Sequence, residues 1–357
     1  MSAAFAQAWP PFVLVVGLVL IGQVAARDGL FHRLAVGLDR TPGGGRALLL
    51  AGLGLVAGVS AVLNLDTAAV FATPVLVLAA RRRGLDERPF LYGALLMANA
   101  ASLFLPGSNL TNLLVLAHDP IGGGRFVVRL LPAALAAVVV TAAGVLVWHR
   151  RTLAADAARG SLPTGDGGLL ALRRGPVGVL APATAAVLLV VSAHPALPVL
   201  GVAVVASAFL VRAGRLRPGE ALLAVGPGVL ALLFALAVGL GALSRAWGAP
   251  GRLMHAAAAG PTAALAAVAA VLVNNLPAAV LLSSGPVVHP RALLIGLNLG
   301  PNLAVTGSLS SYLWWRSARS VGAAPSARAL SRQGVVLGPL AIAAALGATA
   351  LLAPGRL

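Results

Sequence analysis

Residues 103–116 read LFLPGSNLTNLLVL and lie between two long apolar stretches. Within seven residues this segment places a proline, a glycine, a serine and two asparagines in sequence that is otherwise typical of a membrane-spanning helix. Lipid supplies no hydrogen-bond partners, so polar groups at that depth need partners within the protein or a function that offsets their cost. The segment therefore predicts a helix that is interrupted inside the membrane.

The composition places the whole chain in a membrane. Of its 357 residues, 59% are hydrophobic and only 10% are charged, whereas a soluble domain carries about 25% charged residues. The net charge is +17 and all 26 basic residues are arginines, which fall mostly in short loops, as the positive-inside bias predicts for membrane proteins. The chain has no cysteine. We therefore expect no nucleic-acid partner, no thiolate metal site and no cofactor.

The arginine positions predict which loops share one side of the membrane. Loops 27–46 and 81–88 are both rich in arginine, so both should be cytoplasmic, and the apolar run 46–80 starts and ends on that side. A re-entrant helical hairpin with its tip at 64–66 satisfies this constraint, and so would two ordinary short spans. Continued along the chain, this topology puts 20 arginines inside, six outside and the N-terminus outside.

The chain carries two copies of one arrangement, and the second copy favours the hairpin. AVLNLDTAAV at 61–70 aligns with AVLVNNLPAAV at 270–280, and PGSNL at 106–110 aligns with TGSLS at 306–310. Each copy reads helix, hairpin, interrupted helix, helix, but the first hairpin enters from inside and the second from outside. This pattern predicts an inverted-topology repeat, the architecture of many secondary transporters.

We therefore predict an all-α polytopic membrane protein with two re-entrant helical hairpins and two interrupted helices. The predicted parts are the first repeat 1–148, with hairpin 46–80 and broken helix 89–117; a cytoplasmic linker 149–175; and the second repeat 176–357, with hairpin 261–285 and broken helix 292–315. A single helix is expected over 220–243. Two extra helices at 176–211 have no counterpart in the first repeat, which looks short by one N-terminal helix pair.

The polar residues of the apolar runs predict one shared site. All eight asparagines fall in the hairpins or the interrupted helices, and Asp66 is the only acidic residue inside a hydrophobic run away from its ends. A carboxylate at that depth is costly unless it is partnered or protonated, so Asp66 is the candidate for proton coupling. The candidate substrate- or ion-binding residues are Asn64, Asp66, Thr67, Ser108, Asn109, Thr111, Asn112, Asn274, Asn275, Asn302, Thr306 and Ser308.

The chemistry of such a site follows from helix ends and side-chain oxygens. Hairpin tips and helix breaks leave backbone groups unpaired, and N-terminal helix ends favour anionic or oxygen-rich groups. Asparagine, serine and threonine can bind a cation or a hydroxylated solute. Two simpler interpretations stay open, namely helix capping for the residues at the tips and interhelical hydrogen bonding for those near the breaks.

Four stretches resemble the arsenite-efflux permeases, the arsenical pump membrane protein family of the ion transporter superfamily, which has sodium/dicarboxylate symporters and sodium/proton antiporters as relatives. These stretches are LNLDTAAVFATPVLVLA, ANAASLFLPGSNLTNLLV, VNNLPAAVLL and NLGPNLAVTGSLSSYLWW. The resemblance implies a scaffold domain and a transport domain, elevator-type movement and a homodimer. It also implies hairpin tips at 64–67 and 274–277, helix breaks at 107–112 and 306–308, and substrate held between them.

The function expected from these features is secondary active transport in the cell (inner or plasma) membrane, by proton-coupled efflux of arsenite, antimonite or a similar small oxyacid. The alternative is a sodium- or proton-coupled carrier of a dicarboxylate or other anion, or a cation/proton antiporter. We expect a small dicarboxylate to compete poorly, because only Arg129 lies near an apolar run of the first repeat, away from the tips. An enzyme is not expected, since the apolar region shows no nucleophile–base pair or metal-ligand cluster. The sequence does not identify an ATPase partner.

Overall fold

The structure is a computed structural model that describes residues 2–117, 121–159, 175–283, 285 and 287–352. These residues form helices and turns, and they contain no strand. Five helical stretches of the described chain are long and apolar enough to cross a membrane: Trp9–Arg27, Gly45–Val62, Gly123–Trp148, Pro218–Trp247 and Ala327–Leu352. The predicted all-α polytopic membrane fold is confirmed.

The first half contains a helical hairpin and a broken helix between two long helices. Its helices are α1 (Ser2–Arg27), α2 (Leu30–Asp39), α3 (Gly45–Val62), α4 (Leu65–Thr67), a π-helical turn (Ala68–Ala72), α5 (Thr73–Arg82), α6 (Arg88–Ala101), a 3₁₀ turn (Pro106–Ser108), α7 (Leu110–Leu116), α8 (Gly123–Trp148) and α9 (Arg150–Arg159). The segments from α4 to α5 run on without interruption, so α3 and this composite helix form the first hairpin around Asn64.

The second half repeats that order after two additional helices. Its helices are α10 (Val177–Val191), α11 (Ala196–Arg212), α12 (Pro218–Val225), α13 (Pro227–Trp247), α14 (Ala249–Ala256), α15 (Ala259–Val273), α16 (Asn275–Leu282), α17 (Pro290–Leu299), 3₁₀ turns (Gly300–Leu303 and Val305–Gly307), α18 (Leu309–Ser320) and α19 (Ala327–Leu352). Helices α15 and α16 form the second hairpin, and α17 and α18 form the second broken helix. The re-entrance of either hairpin into a membrane stays a prediction.

Three boundaries differ from the sequence expectation. The helix expected over 220–243 is divided, because Gly226 adopts φ +60° and ends α12 before Pro227 begins α13. The first break covers residues 102–109, so Thr111 and Asn112 lie in the first turn of α7. The second break is longer than expected and covers residues 300–308. Of the predicted linker, α9 occupies the first part and residues 160–174 lie outside the described chain.

The helices pack mainly in two groups. Helix α1 packs most extensively on α11, and also on α10, α12 and α13; we call α1 and α10–α13 the α1 group. The two hairpins, the two broken helices, α8 and α19 form the hairpin group, in which α8 packs on α19 and α6, and α15 packs on α17. The long helices that close the two repeats, α8 and α19, therefore lie against each other.

Loops that were expected to share one side of the membrane contact one another. The guanidinium of Arg82, the last residue of α5, pairs with Asp39, the last residue of α2, with Nη2 2.8 Å from Oδ1. The neighbouring Arg81 donates from Nη2 to the carbonyl of Gly322, after α18, at 3.0 Å. The C-terminal ends of α2, α5 and α18 thus lie on one side, which we call the arginine-rich side. Its assignment to the cytoplasm, with the N-terminus outside, stays a prediction.

Helix α19 packs directly on the backbone of the second break. A Cβ atom at Gly334 would lie 1.7 Å from the carbonyl oxygen of Asn302, which is backbone and cannot rotate away. Gly334 is buried, whereas a Cβ atom at Gly347 of the same helix would meet no other atom within 4 Å. The absence of a side chain at Gly334 is therefore what permits this close approach.

We predict that Gly334→Ala destabilises the protein, because α19 must move away from the second break. Overpacking of this kind costs about 1–3 kcal/mol. The measurement is thermal unfolding of purified protein in detergent, with Gly347→Ala as the matched control. The control should unfold at the wild-type temperature or slightly above it, since alanine favours a helix. Equal unfolding temperatures for the two variants would contradict the packing described here.

Candidate substrate- and ion-binding site

A cavity of about 440 Å³ lies between the two helix groups. Eight of the twelve predicted site residues line it, from both hairpin tips and the first break: Asn64, Asp66, Thr67, Ser108, Asn109, Thr111, Asn274 and Asn275. Residues of both hairpin tips therefore line one cavity, and binding by any of these residues stays a prediction. The volume falls within the range of about 300–1,000 Å³ that is usual for small-molecule sites.

The two walls of this cavity differ in polarity. The hairpin group contributes every polar residue on the described wall except Gln23, which comes from α1. The α1 group otherwise contributes aliphatic residues, such as Val15 and Val19 of α1 and Leu230 of α13. A solute in the cavity therefore finds nearly all of its hydrogen-bond partners on one of the two groups.

Four helical segments begin at the cavity, and a side chain caps each one. In each case a backbone N–H donates to the side-chain oxygen of a residue two or three positions earlier, over 2.7–3.4 Å. The donor and acceptor pairs are Thr67 and Asn64, Thr111 and Asn109, Leu276 and Asn274, and Ser311 and Ser308. Capping is thus a real role of the tip asparagines. The helix starts also direct the positive ends of their backbone dipoles toward the cavity, and such ends favour anions.

Asp66 links the first tip to the second broken helix. Its Oδ1 accepts a hydrogen bond from the Ser310 hydroxyl in the first turn of α18. Within the described chain Asp66 pairs with no arginine, although it lines the cavity. A carboxylate with one hydroxyl partner and one face toward a cavity is suited to take up a proton or another small cation.

The two repeats are not chemically equivalent at this point. Two positions after the capping asparagine, the first tip has Asp66 and the second tip has Leu276. Two positions after the capping residues of the broken helices lie Thr111 and Ser310. Ser310 bonds to Asp66, whereas the buried hydroxyl of Thr111 has no partner in the described chain. The carboxylate and its hydroxyl partner thus occur once, and their counterparts are a leucine and an unsatisfied hydroxyl.

Four predicted site residues do not line the cavity, namely Asn112, Asn302, Thr306 and Ser308. Two of them belong to a buried amide network that joins the broken helices. Asn298 donates to Oδ1 of Asn112 at 2.7 Å and accepts from Nδ2 of Asn109 at 2.8 Å, while Asn99 donates to Oδ1 of Asn302 at 2.8 Å. Their placement supports the interhelical hydrogen-bonding interpretation for these side chains.

The breaks are also tied to the hairpins. The Ser108 hydroxyl donates to the carbonyl of Ala61 at 2.9 Å, and the Thr306 hydroxyl donates to that of Val271 at 3.0 Å. Each of these carbonyls lies three residues before the capping asparagine of its tip. The second tip gains a further contact, since Asn274 Nδ2 donates to the Thr306 carbonyl at 3.2 Å. Each break therefore positions one hairpin tip.

Several cavity residues were not predicted from the sequence. Ser310, Tyr312 and Arg316 come from α18, and Gly226 comes from the division between α12 and α13. Gln23 is the one polar side chain that α1 contributes among the described residues of the wall. Two of them could have been noticed in the sequence. Gly226 precedes Pro227 within an apolar run, and Gln23 is a polar residue within the first apolar run.

Over residues 1–300 the sequence matches the family described as citrate transporter (CitMHS). The chain belongs to this family. A solved structure with a similar fold is the YdaH transporter of Alcanivorax borkumensis, whose crystal structure is described as revealing an unusual topology. The two chains share 15% identity and a TM-score of 0.59, over 98% of this chain and 85% of the other. No curated protein sequence gives a significant match.

These comparisons identify a multi-pass membrane transporter and not an enzyme. They confirm the broad, ion-transporter-type assignment that the sequence resemblance implies. Neither comparison supports the finer assignment to arsenite efflux. At 15% identity, the likeness to the solved transporter concerns the fold alone.

The backbone of Asn274 yields a test of the second tip. Its φ of +74° with ψ of +150° is a conformation that glycine adopts readily and that other residues adopt at a cost of about 1–3 kcal/mol. We predict that Asn274→Gly, which loses the cap but keeps this conformation, unfolds at a higher temperature than Asn274→Ala, which loses both. Thermal unfolding in detergent measures the difference. An alanine variant as stable as the glycine variant would show that the backbone of the tip is not constrained.

Proposed function

We propose that this protein is a secondary active transporter of a small carboxylate anion, such as citrate, and that proton binding at Asp66 couples the transport to a proton gradient. The observation that carries the proposal is the convergence of capped helix N-termini on a cavity whose described lining contains a single acidic side chain. Membership of the citrate transporter family supports the same substrate class.

The preference for an anion follows from the backbone. The helical segments that begin at Leu65, Asn275 and Leu309 direct their N-terminal ends at the cavity. Each end carries a partial positive charge of about half an elementary charge, and it acts strongly where water is scarce. Carboxylate oxygens can also accept hydrogen bonds from amide side chains such as that of Asn275.

The coupling follows from Asp66. Its carboxylate lies in the same cavity as the proposed anion, so a solute carboxylate and an ionised Asp66 repel each other. Protonation of Asp66 removes this repulsion, and solute binding in turn favours the protonated side chain. Sodium is the alternative coupling ion, since the Ser310 hydroxyl beside Asp66 offers an additional oxygen ligand.

The difference between the two walls favours an elevator movement. Nearly all polar contacts of the solute lie on the hairpin group, so the solute can travel with that group while the mostly aliphatic wall of the α1 group slides past it. In this proposal the α1 group is the scaffold domain and the hairpin group is the transport domain. A homodimer that holds the scaffold in place stays a prediction.

The substrate class is tested with purified protein in proteoliposomes. We expect labelled citrate or succinate to accumulate when a pH gradient is imposed, and not when only a sodium gradient is imposed. Transport of arsenite and antimonite without transport of any carboxylate would overturn the proposal and favour the oxyacid predicted from the sequence. Accumulation driven only by sodium would overturn the proton coupling and leave the carboxylate substrate standing.

We predict that Asp66→Asn abolishes accumulation driven by a pH gradient and preserves expression and membrane insertion. Exchange of labelled for unlabelled solute across the membrane should persist, because this exchange needs solute binding and movement but no net proton transfer. Asp39→Asn is the matched control, since Asp39 pairs with Arg82 and does not line the cavity. Normal gradient-driven accumulation by Asp66→Asn would contradict proton coupling at Asp66. The side chain would then serve only as a hydrogen-bond acceptor for Ser310.

A further inference from the structure

A second cavity, of about 720 Å³, adjoins α18. It is lined by Val305, Tyr312, Trp315, Arg316, Arg319 and Ala327. Two of these residues, Tyr312 and Arg316, also line the central cavity, so α18 separates the two spaces. The end of α18 leads to Gly322, which bonds to Arg81, and the second cavity therefore lies toward the arginine-rich side. We call it the vestibule.

Arg316 is the only cationic side chain among the described residues that line the central cavity. Its guanidinium carbon lies 5.8 Å from the ring centroid of Tyr312, a cation–π arrangement that directs the side chain along the α18 surface. In the described chain Arg316 forms no ion pair, and Asp66, on the wall of the same cavity, is bonded to Ser310 instead. The guanidinium is thus exposed, charged and open to an anionic partner.

Two roles are compatible with an exposed arginine at a helix end. One is solvation at the membrane surface, which any arginine of the positive-inside loops fulfils. Arg319, one turn further along α18, lines the vestibule but not the central cavity, and it is suited to that role. Arg316 differs because it reaches both spaces, and a planar guanidinium binds a carboxylate with two parallel hydrogen bonds.

We propose that Arg316 selects the solute by its charge: it binds a second carboxylate group of a solute whose first carboxylate lies at the helix N-termini of the central cavity. This inference rests on the proposed transport of carboxylates and deepens it. It implies that the protein prefers dicarboxylates and tricarboxylates to monocarboxylates of similar size, since only the former can engage both ends of the site.

The test compares solutes with one, two and three carboxylates in proteoliposomes that contain wild type or a variant. We expect Arg316→Gln to raise the KM for dicarboxylates and tricarboxylates at least tenfold, to leave the KM for a monocarboxylate within about twofold, and to change kcat little. Arg316→Lys keeps the charge but loses the two parallel hydrogen bonds of the guanidinium, so it should recover part of the affinity. Arg319→Gln is the matched control and should leave every KM unchanged.

The outcomes separate this inference from the proposed function. An Arg316→Gln variant with wild-type KM values, or with equal increases for all three solute classes, would overturn charge selection while carboxylate transport by the wild type stands. A wild-type protein that carries no carboxylate would overturn both. An unchanged thermal unfolding temperature for Arg316→Gln shows that an altered KM does not arise from loss of the fold.

Discussion

The buried amide of Asn298 holds together the two interrupted helices on which the rest of the site depends. It donates to Asn112, and it accepts from Asn109 and from the hydroxyl of Ser102, so one side chain joins the second broken helix to three positions of the first. A helix can be broken in an apolar environment only if its freed polar groups find partners. Here the two broken helices supply partners for each other, and Asn109, which belongs to this network, also lines the cavity.

The hairpin tips could be predicted from the sequence because their determinants are local. Asn64 and Asn274 both cap the helix that follows, and asparagine is among the residues that most favour this position. The limits of the breaks could not be predicted in the same way. Asn112 donates to the carbonyl of Ser102, a residue ten positions earlier, and this side-chain contact helps the chain to leave the helix before Pro106. Such non-local contacts have no signature in hydropathy.

The roles of arginine and glycine were harder to predict because identical residues serve different purposes. The positive-inside pattern treats Arg316 and Arg319 alike, and only the fold shows that one reaches the central cavity. Gly226 resembles other glycines of the apolar helices until its φ of +60° places the division between α12 and α13 at the cavity. By contrast, the sequence alone singled out Asp66 as a candidate, since a charge inside an apolar run is rare without a function.

The presence of a carboxylate in one tip and a leucine in the other has an electrical consequence. Asp66 is the single acidic group among the described residues of the site, so the proton coupling that we propose would carry one proton per transport cycle on that side chain. A solute with two negative charges that moves together with one proton carries a net charge of minus one across the bilayer. Each such charge gains or loses about 2.3 kcal/mol per 100 mV of membrane potential. In a cell whose interior is negative, the membrane voltage would oppose uptake of that solute and would favour its exit.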